Sequence, residues 1–306
     1  MRTVTLLPSA TEIVYALGLE PVATSHECDW PPEAAGKPAV NRSRVDADAS
    51  AGEIDAQVLE AEGSGGVYDI DLDALERADP DLVVSQGICE VCAVDSVLVR
   101  EAVEELGLDC EVLTTDPHSL EDVFGDVERI GRATGREDRA AAVVADLRER
   151  ASCVRERTAD LGPAERPRVA VLDWTDPVMT AGHWVPELVE WAGGEYGLAE
   201  RGAASRPREW AEIREYDPEV LVVAPCGFDL DQTAENLGDL TEREGWTDLT
   251  AVREGRAYAM DGHHYLNRPG PRLVDSLEHL AGLLHPDRFE APPAAVARPV
   301  ARTPAR

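Results

Sequence analysis

One pattern occurs once in each half of the chain and restricts the fold more than any other feature. In both copies a short helical stretch runs into an Asp-Pro turn and then into an apolar strand, at 73–84 (DALERADPDLVV) and 210–223 (WAEIREYDPEVLVV). A helix ends at or before the residue that precedes a proline, so the turn separates the two elements. The repeat predicts two related halves, each built from alternating strands and helices.

The segments around each copy continue this alternation. Ser9 and Glu12 have the spacing of a capping box, which would explain Glu12 as the partner of a helix N-terminus. Short apolar strands that alternate with helices predict parallel, doubly wound sheets. The predicted strands are Arg2–Leu7, Val22–Ser25, Asp81–Ser85, Cys110–Thr114, Arg168–Leu172, Val220–Val223 and Arg256–Met260.

A long helical region separates the two halves. Apolar residues recur at helical spacing after Ser119, and Arg136–Asp160 reads as one helix that ends at Leu161-Gly162-Pro163. The predicted fold is therefore α/β, with two lobes, each a mostly parallel βα sheet, joined by one long α-helix. We expect an N-terminal lobe at 1–118, the backbone helix region at 119–162, a C-terminal lobe at 163–290 and a disordered Pro-, Ala- and Arg-rich tail at 291–306.

Charge excludes several classes of partner. The formal net charge is -31, and Lys37 is the only lysine. Such a surface repels nucleic acid and anionic lipid headgroups, and its composition is typical of proteins that work in high salt, where self-repulsion is screened. No apolar run is long enough for direct membrane insertion. As written, the chain has no signal peptide and is expected in the cytoplasm, or outside the cell if the true start codon lies upstream.

Aromatic side chains make up 5% of the chain, yet several follow strands or lie in predicted loops, among them Tyr68, Trp174 and Tyr265. Ligands of parallel α/β sheets bind beyond the carboxyl ends of the strands. Rings at these places would form a stacking wall for a large flat ligand, and the alternative is that they pack beneath the loops.

Cysteines and histidines offer a second type of site. Cys89 and Cys92 form a lone CxxC after a strand, and Cys28 and Cys226 also follow strands, so a metal or redox site is one interpretation and simple loop thiols are the other. His263 and His264 are adjacent and are not expected to chelate one metal together. No nucleotide-binding, metalloprotease or nucleophile-elbow motif is present, so the sequence predicts neither an enzyme nor a catalytic cofactor.

Four segments resemble cobalamin-binding proteins of the helical-backbone class of ABC-transporter substrate-binding proteins, a class that also carries iron–siderophores and haem. They are TLLPSATEIVYALGLEPVATSHECDWPPE, DLDALERADPDLVVSQGICEVCAV, GHWVPELVEWAGGEYGL and LNRPGPRLVDSLEHLAGLLHP. The resemblance covers residues 2–286 and implies little hinge bending. It implies that a permease binds one carboxylate on each lobe, here Asp73 and Glu212. It also implies a corrinoid cradled by loops of both lobes, at Pro8, Ser9, Ala10, Thr11, Tyr68, Ser205, Arg206, His264 and Tyr265.

The His26-Glu27-Cys28 and Cys89-x-x-Cys92 elements resemble leaderless members of this class. The imidazole of His26 could ligate cobalt, or it could be a hydrogen-bonded loop histidine. The expected function is non-catalytic binding of cobalamin or a related corrinoid, for uptake, salvage or intracellular handling, with an ABC permease as a further partner. A receptor for another metal chelate, such as haem or an iron–siderophore, and a cytosolic cysteine-based metal or redox protein remain alternatives.

Overall fold

The computed structural model describes residues 1–62, 66–88 and 96–301. The strands are β1 (Thr3–Thr5), β2 (Ala23–Thr24), β3 (Asn41–Ser43), β4 (Tyr68–Ile70), β5 (Leu82–Gln86), β6 (Glu111–Thr115), β7 (Val169–Thr175), β8 (Val178–Thr180), β9 (Arg206–Pro207), β10 (Val220–Val223), β11 (Ala257–Met260) and β12 (Ala297–Pro299). The helices are α1 (Pro8–Ala16), α2 (Ala51–Glu62), α3 (Leu72–Ala78), α4 (Ser96–Glu105), α5 (Leu120–Ala133), α6 (Glu137–Thr158), α7 (Val185–Trp191), α8 (Trp210–Tyr216), α9 (Leu230–Glu235), α10 (Gly238–Thr241), α11 (Thr250–Glu254) and α12 (Leu273–Leu284).

The N-terminal lobe is built on a parallel sheet with the strand order β2-β1-β5-β6. Strands β1 and β5 are buried throughout, because helices cover both faces of the sheet. A separate antiparallel pair, β3 and β4, lies beside this sheet. Along the chain, helix α2 connects the two strands of this pair. These two strands are not among those predicted from the sequence.

The C-terminal lobe contains a sheet with the order β12-β11-β10-β7-β8-β9. Its central strands β7, β10 and β11 are parallel, whereas β8, β9 and β12 each pair antiparallel with the preceding neighbour in the sheet, β7, β8 and β11 respectively. The predicted fold of two βα lobes is confirmed, with more antiparallel pairing in this second sheet than the sequence suggested.

Part of the C-terminal tail is ordered, contrary to the prediction of disorder from residue 291. Strand β12 pairs with β11, and Val296 and Ala297 are buried against the lobe. Two apolar side chains and a ladder of backbone hydrogen bonds order this stretch despite its Pro-rich composition.

The repeated pattern forms the same structure in both lobes. Asp79 directly follows helix α3 and Asp217 directly follows α8, and both aspartates adopt left-handed backbone conformations, with φ of 43° and 45°. Aspartate tolerates this region better than most residues, and the proline that follows stops the helix. Strands β5 and β10 then enter the two sheets at equivalent central places.

Helices α5 and α6 join the lobes. Helix α6 has 22 residues and is about 33 Å long at 1.5 Å per residue, close to the predicted Arg136–Asp160. Its apolar stripe packs against α5 and against α12 of the C-terminal lobe, within one core cluster that takes residues from both lobes. None of the described helices combines the length and apolar character that a membrane span requires.

Candidate functional site

The loops at the carboxyl ends of both sheets face each other, and among the described residues they contact each other in three places. Two surface grooves, of about 550 and 500 Å³, lie elsewhere, on the outer faces of the lobes. The candidate site is the surface along which the lobes meet, because loops of both lobes converge there.

The first contact, here called the ionic cluster, is a network of charged side chains around the buried Glu12 and Arg268. Arg272 of the C-terminal lobe holds both carboxylate oxygens of Glu12, at 2.6 and 3.1 Å. The Nη1 atom of Arg268 donates to Asp29 Oδ1 at 2.6 Å and lies 3.5 Å from Glu12 Oε1. The Glu12 and Arg268 side chains are only 3% and 5% exposed. The complete cluster is Glu12, Asp29, Asp261, His263, His264, Arg268 and Arg272.

Glu12 is free to join this cluster because it does not cap a helix. Helix α1 begins after Leu7 without a side-chain cap, and Pro8 occupies its first turn, where a missing N–H costs nothing. The predicted capping box of Ser9 and Glu12 is therefore wrong. A buried carboxylate needs paired charges, and Arg268 and Arg272 supply them.

The adjacent histidines converge, contrary to the expectation from their spacing. A turn of π-helix over 262–266 places the Nε2 atoms of His263 and His264 at 2.9 and 3.0 Å from Asp29 Oδ2. Asp261 accepts from Nδ1 of His264 at 2.8 Å. Hydrogen bonds to Asp261 and Asp29 raise the pKa of His264 to about 9, so this imidazole is protonated at neutral pH. Irregular π-helical turns are frequent at functional sites.

Asp29, His263 and His264 are also a group that could hold a metal ion, because their ligand atoms lie within 4.8 Å of one another. The Arg268 guanidinium already contacts this group, since its Nη2 atom lies 2.6 Å from His263 Nε2. Burial would raise the pKa of Asp29, but hydrogen bonds from the histidines and Arg268 outweigh it and lower that pKa far below its usual range. The cluster is thus balanced by its own cations, and a metal would have to displace Arg268 and the proton of His264.

The second contact, here called the apolar contact, is made by α2. Ala51 and Ile54 of this helix pack against Phe228 and Trp174 of the C-terminal lobe, whose rings lie 5.1 Å apart. Hydrogen bonds flank it, from Ala51 N to Asn236 Oδ1 at 3.3 Å and from Gln232 Nε2 to the Ala47 carbonyl at 2.6 Å. A Cβ atom on Gly52 would lie 2.9 Å from Asp176 Oδ2, so a side chain at this position would require the exposed Asp176 carboxylate to move.

The third contact joins the β6–α5 loop to the C-terminal lobe. Nδ1 of His118 donates to the Gly202 carbonyl at 3.2 Å, and the His118 and His183 rings lie 5.9 Å apart. His183 has a left-handed backbone, with φ of 52°. Burial, and to a lesser extent His118, lowers the pKa of His183, so this ring is neutral. Strained residues of this type are often found at binding sites.

The structure distributes the predicted ligand residues unevenly around these contacts. His264 and Trp174 contact the other lobe, and Ser205 donates to Asp173 within the C-terminal lobe. Tyr265 stacks edge-on against His279 beside Arg272, and Arg206 is exposed on β9. Pro8 and Ser9 begin α1, where Gly270 approaches Ser9 closely, whereas Ala10 and Thr11 face the interior of the lobe. His26 is hydrogen-bonded to Asn41 and lies 5.8 Å from the Tyr68 ring, whose hydroxyl donates to Glu27.

The cysteine site cannot be assembled from what the structure describes. Cys89 and Cys92 lie outside the described residues. Cys28 is buried and within 3.0 Å of the Thr11 hydroxyl, and burial raises the pKa of its thiol to about 12, which disfavours the thiolate that a metal requires. Cys226 is half-buried, and its N–H donates to the Asp173 carbonyl.

Asp73 and Glu212, the predicted permease contacts, are both exposed in the first turns of the repeat helices α3 and α8. Sequence reasoning missed several residues of the interlobe contact. A signal was available for two of them: Arg268 and Arg272 flank the rigid Pro-Gly-Pro segment 269–271, which follows a strand. The missed residues are Asp29, Asp173, Arg268 and Arg272.

Comparisons with known proteins agree with this architecture. A cobalamin-binding protein of Halobacterium salinarum is 28% identical over 169 residues, which cover 55% of this chain and 45% of that protein. A vitamin B12-binding protein of Vibrio cholerae is 23% identical over 292 residues, covering 92% of this chain and 88% of the relative. A solved periplasmic haem-binding protein of Pseudomonas aeruginosa superposes with a TM-score of 0.74 at 19% identity, over 99% of both chains.

The family model of periplasmic binding proteins matches residues 4–263. Substrate-binding proteins of this kind perform no chemistry, so the prediction that the chain is not an enzyme is confirmed on that ground. The two α/β lobes, the connecting helix α6 and the sequence match lead to one conclusion: the chain belongs to the periplasmic binding protein family.

Proposed function

We propose that the protein binds a corrinoid, cobalamin or a close relative, between its lobes and releases it unchanged, for uptake, salvage or handling. The observation that carries this proposal is the convergence of loops from the carboxyl ends of both sheets, with Trp30, Trp174 and Tyr265 beside polar side chains. The names of the cobalamin- and B12-binding relatives support the choice of ligand class.

We infer that the lobes part for such a ligand, a larger movement than the little hinge bending that the resemblance implies. Each contact described above joins one lobe to the other, so a macrocycle bound between the lobes would displace at least part of them. The free energy of the lost interlobe contacts therefore reduces the apparent affinity for the ligand.

Titration tests the proposal directly. Cyanocobalamin and dicyanocobinamide are expected to bind with Kd of about 1 µM or lower, followed by calorimetry and by a shift of the corrin absorption bands. Tyr265→Ala should weaken binding about tenfold if the ring contacts the corrin. Asp73→Asn, on an exposed helix away from the contact, is the matched control and should bind normally. Failure of every corrinoid to bind would refute the proposal.

A haem receptor is the second candidate, because the haem-binding structure superposes over the whole chain and because histidines and a tyrosine border the contact. Adding haem and ferric siderophores to the same titration panel separates the two. Tighter binding of haem than of any corrinoid would favour this second function.

We further propose that Asp73 and Glu212 are the carboxylates that contact a permease, since the internal repeat places them on equivalent helices of the two lobes. Charge reversal at both positions should abolish ligand-dependent stimulation of the permease ATPase while ligand binding is retained. Retained stimulation would contradict this docking mode.

A further inference from the structure

Asp173 occupies an irregular place in the central sheet of the C-terminal lobe. The pairing of β7 with β8 shifts between Leu172 and Trp174, so Asp173 sits in a β-bulge. Bulges re-aim side chains and are common beside binding sites. The next residue, Trp174, belongs to the apolar contact, so the bulge lies at the sheet edge that faces the other lobe.

The Asp173 carboxylate is only half satisfied. The Ser205 hydroxyl donates to Oδ2, while the Gly182 N–H donates to that same hydroxyl oxygen at 3.0 Å. The Asp173 Oδ1 atom is buried and has no hydrogen-bond partner among the described residues. The nearby Tyr196 hydroxyl is committed to the Ala181 carbonyl at 2.7 Å. Burial, only partly offset by Ser205, raises the pKa of Asp173 to about 6.

A buried, unpaired carboxylate oxygen is costly, and such groups tend to be retained where a ligand completes them. The group that completes Oδ1 has to donate a hydrogen bond. Ser205 cannot, because its single hydrogen is already directed at Oδ2. A ligand carboxylate cannot either, because it would place a second anion against Asp173 in a chain whose net charge is -31.

We propose that Asp173 and Ser205 form an acceptor site for a ligand N–H, through which the cleft selects metal chelates that carry peripheral amides over chelates that carry peripheral carboxylates. This inference rests on the proposed function, because it assigns a role to residues at the proposed ligand cleft. Corrinoids present primary amides around the ring, whereas haem presents carboxylates. The site would therefore act as the specificity determinant between the two ligand classes considered above.

A matched pair of ligands tests the inference. Dicyanocobinamide and dicyanocobyrinic acid have the same macrocycle, metal and axial ligands. The first carries amides around the ring, and the second carries carboxylic acids there. Both are titrated into the wild-type protein in KCl that screens the surface charge. The wild type should bind the amide form at least about tenfold more tightly, the effect of one hydrogen bond to a charged group.

Asp173→Asn keeps the shape of the side chain but turns one end into a donor. With its carbonyl oxygen accepting from Ser205, its NH₂ group points where Oδ1 stood. The variant should lose about tenfold in affinity for dicyanocobinamide and gain affinity for the acid, so the ratio of the two Kd values collapses. Ser205→Ala should lower the ratio less, because Asp173 keeps its charge.

Asp109→Asn is the matched control, since it removes the same charge from an exposed position before β6, at the far end of the other sheet. Its Kd ratio should equal that of the wild type. Thermal unfolding shows whether each variant is folded. An unchanged ratio in a folded Asp173→Asn variant overturns the inference and leaves corrinoid binding standing, whereas failure of the wild type to bind either corrinoid overturns both.

Discussion

The ionic cluster and the apolar contact both hold the lobes together, but they do so by opposite physics. In the ionic cluster the carboxylates of Glu12, Asp29 and Asp261 are matched by Arg268, Arg272 and protonated His264. The apolar contact is a small group of side chains around Ile54 and Phe228. The first depends on every partner being present and on pH, whereas the second depends only on buried area. A protein that must open can thus regulate one contact without the other.

The largest expected effect is the loss of the central guanidinium. Arg268→Met keeps most of the side-chain volume but leaves the cluster one positive charge short, with Arg272 alone beside Glu12 and the histidines alone beside Asp29. Removing one partner of a buried pair costs about 3–5 kcal/mol in the free energy of unfolding. Urea denaturation at fixed KCl measures the loss.

Arg42→Met is the control for that substitution, because the Arg42 side chain is 78% exposed where it pairs with Asp69. It should change the free energy of unfolding by less than about 1 kcal/mol. A double-mutant cycle with Glu12→Gln should also show coupling between Glu12 and Arg268. Equal effects of the two arginine variants would show that the ionic cluster is not a buried network.

The next effect concerns the apolar contact. Ile54→Ala should cost about 2 kcal/mol, because it removes buried methyl groups from a small cluster that can partly collapse. Leu59→Ala on the same helix is the matched control, since Leu59 is 63% exposed and its truncation should cost little. Both are measured by urea denaturation.

Salt should distinguish this substitution from those in the ionic cluster. Raising KCl leaves the cost of Ile54→Ala unchanged or larger, because salt does not weaken apolar burial. Since the contact opposes opening, Ile54→Ala should also tighten apparent corrinoid binding. Weaker binding instead would mean that α2 contacts the ligand rather than competing with it.

The elements followed from the sequence more completely than the site did. The Asp-Pro repeat and the strands that follow it were predictable, because periodicity and turn residues act over a few neighbouring positions. Strands β8, β9 and β12 were missed, because two or three residues carry too little pattern. Nothing in the sequence around Ile54 of helix α2 indicates that this side chain packs on the other lobe.

The site was harder to predict, because the sequence around each residue suggests a local role that differs from the role the residue has in the folded protein. Glu12 had the spacing of a capping partner, yet it pairs with residues 256 and 260 positions away. Adjacent histidines diverge in regular elements, but the π-helical turn brings His263 and His264 to one oxygen. Asp173 carries no motif, and its role depends on a bulge that only the pairing of β7 with β8 reveals.

The smallest expected effect is the pH dependence of the ionic cluster. The pKa of His264 is about 9 in the folded protein, against about 6.5 in the unfolded chain. A raised folded pKa contributes stability that is fully present below about pH 6.5 and is lost as pH rises through about 9. Because the His264 side chain is 32% exposed, we expect the contribution at neutral pH to be about 1–2 kcal/mol.

His264→Gln tests this value when the free energies of unfolding of the variant and the wild type are compared at each pH, since all other titrating groups are common to the two proteins. The gap in the free energy of unfolding between wild type and variant should narrow steadily from pH 7 to pH 10. His279→Gln is the control: burial lowers the pKa of His279, so that ring is neutral throughout this range and its gap should stay constant. A constant gap for His264→Gln as well would mean that His264 is neutral in the folded state, and the charge balance of the ionic cluster would then lack its third cation. Added KCl should shrink the His264 effect, because its exposed edge is screened, while the cost of Ile54→Ala persists.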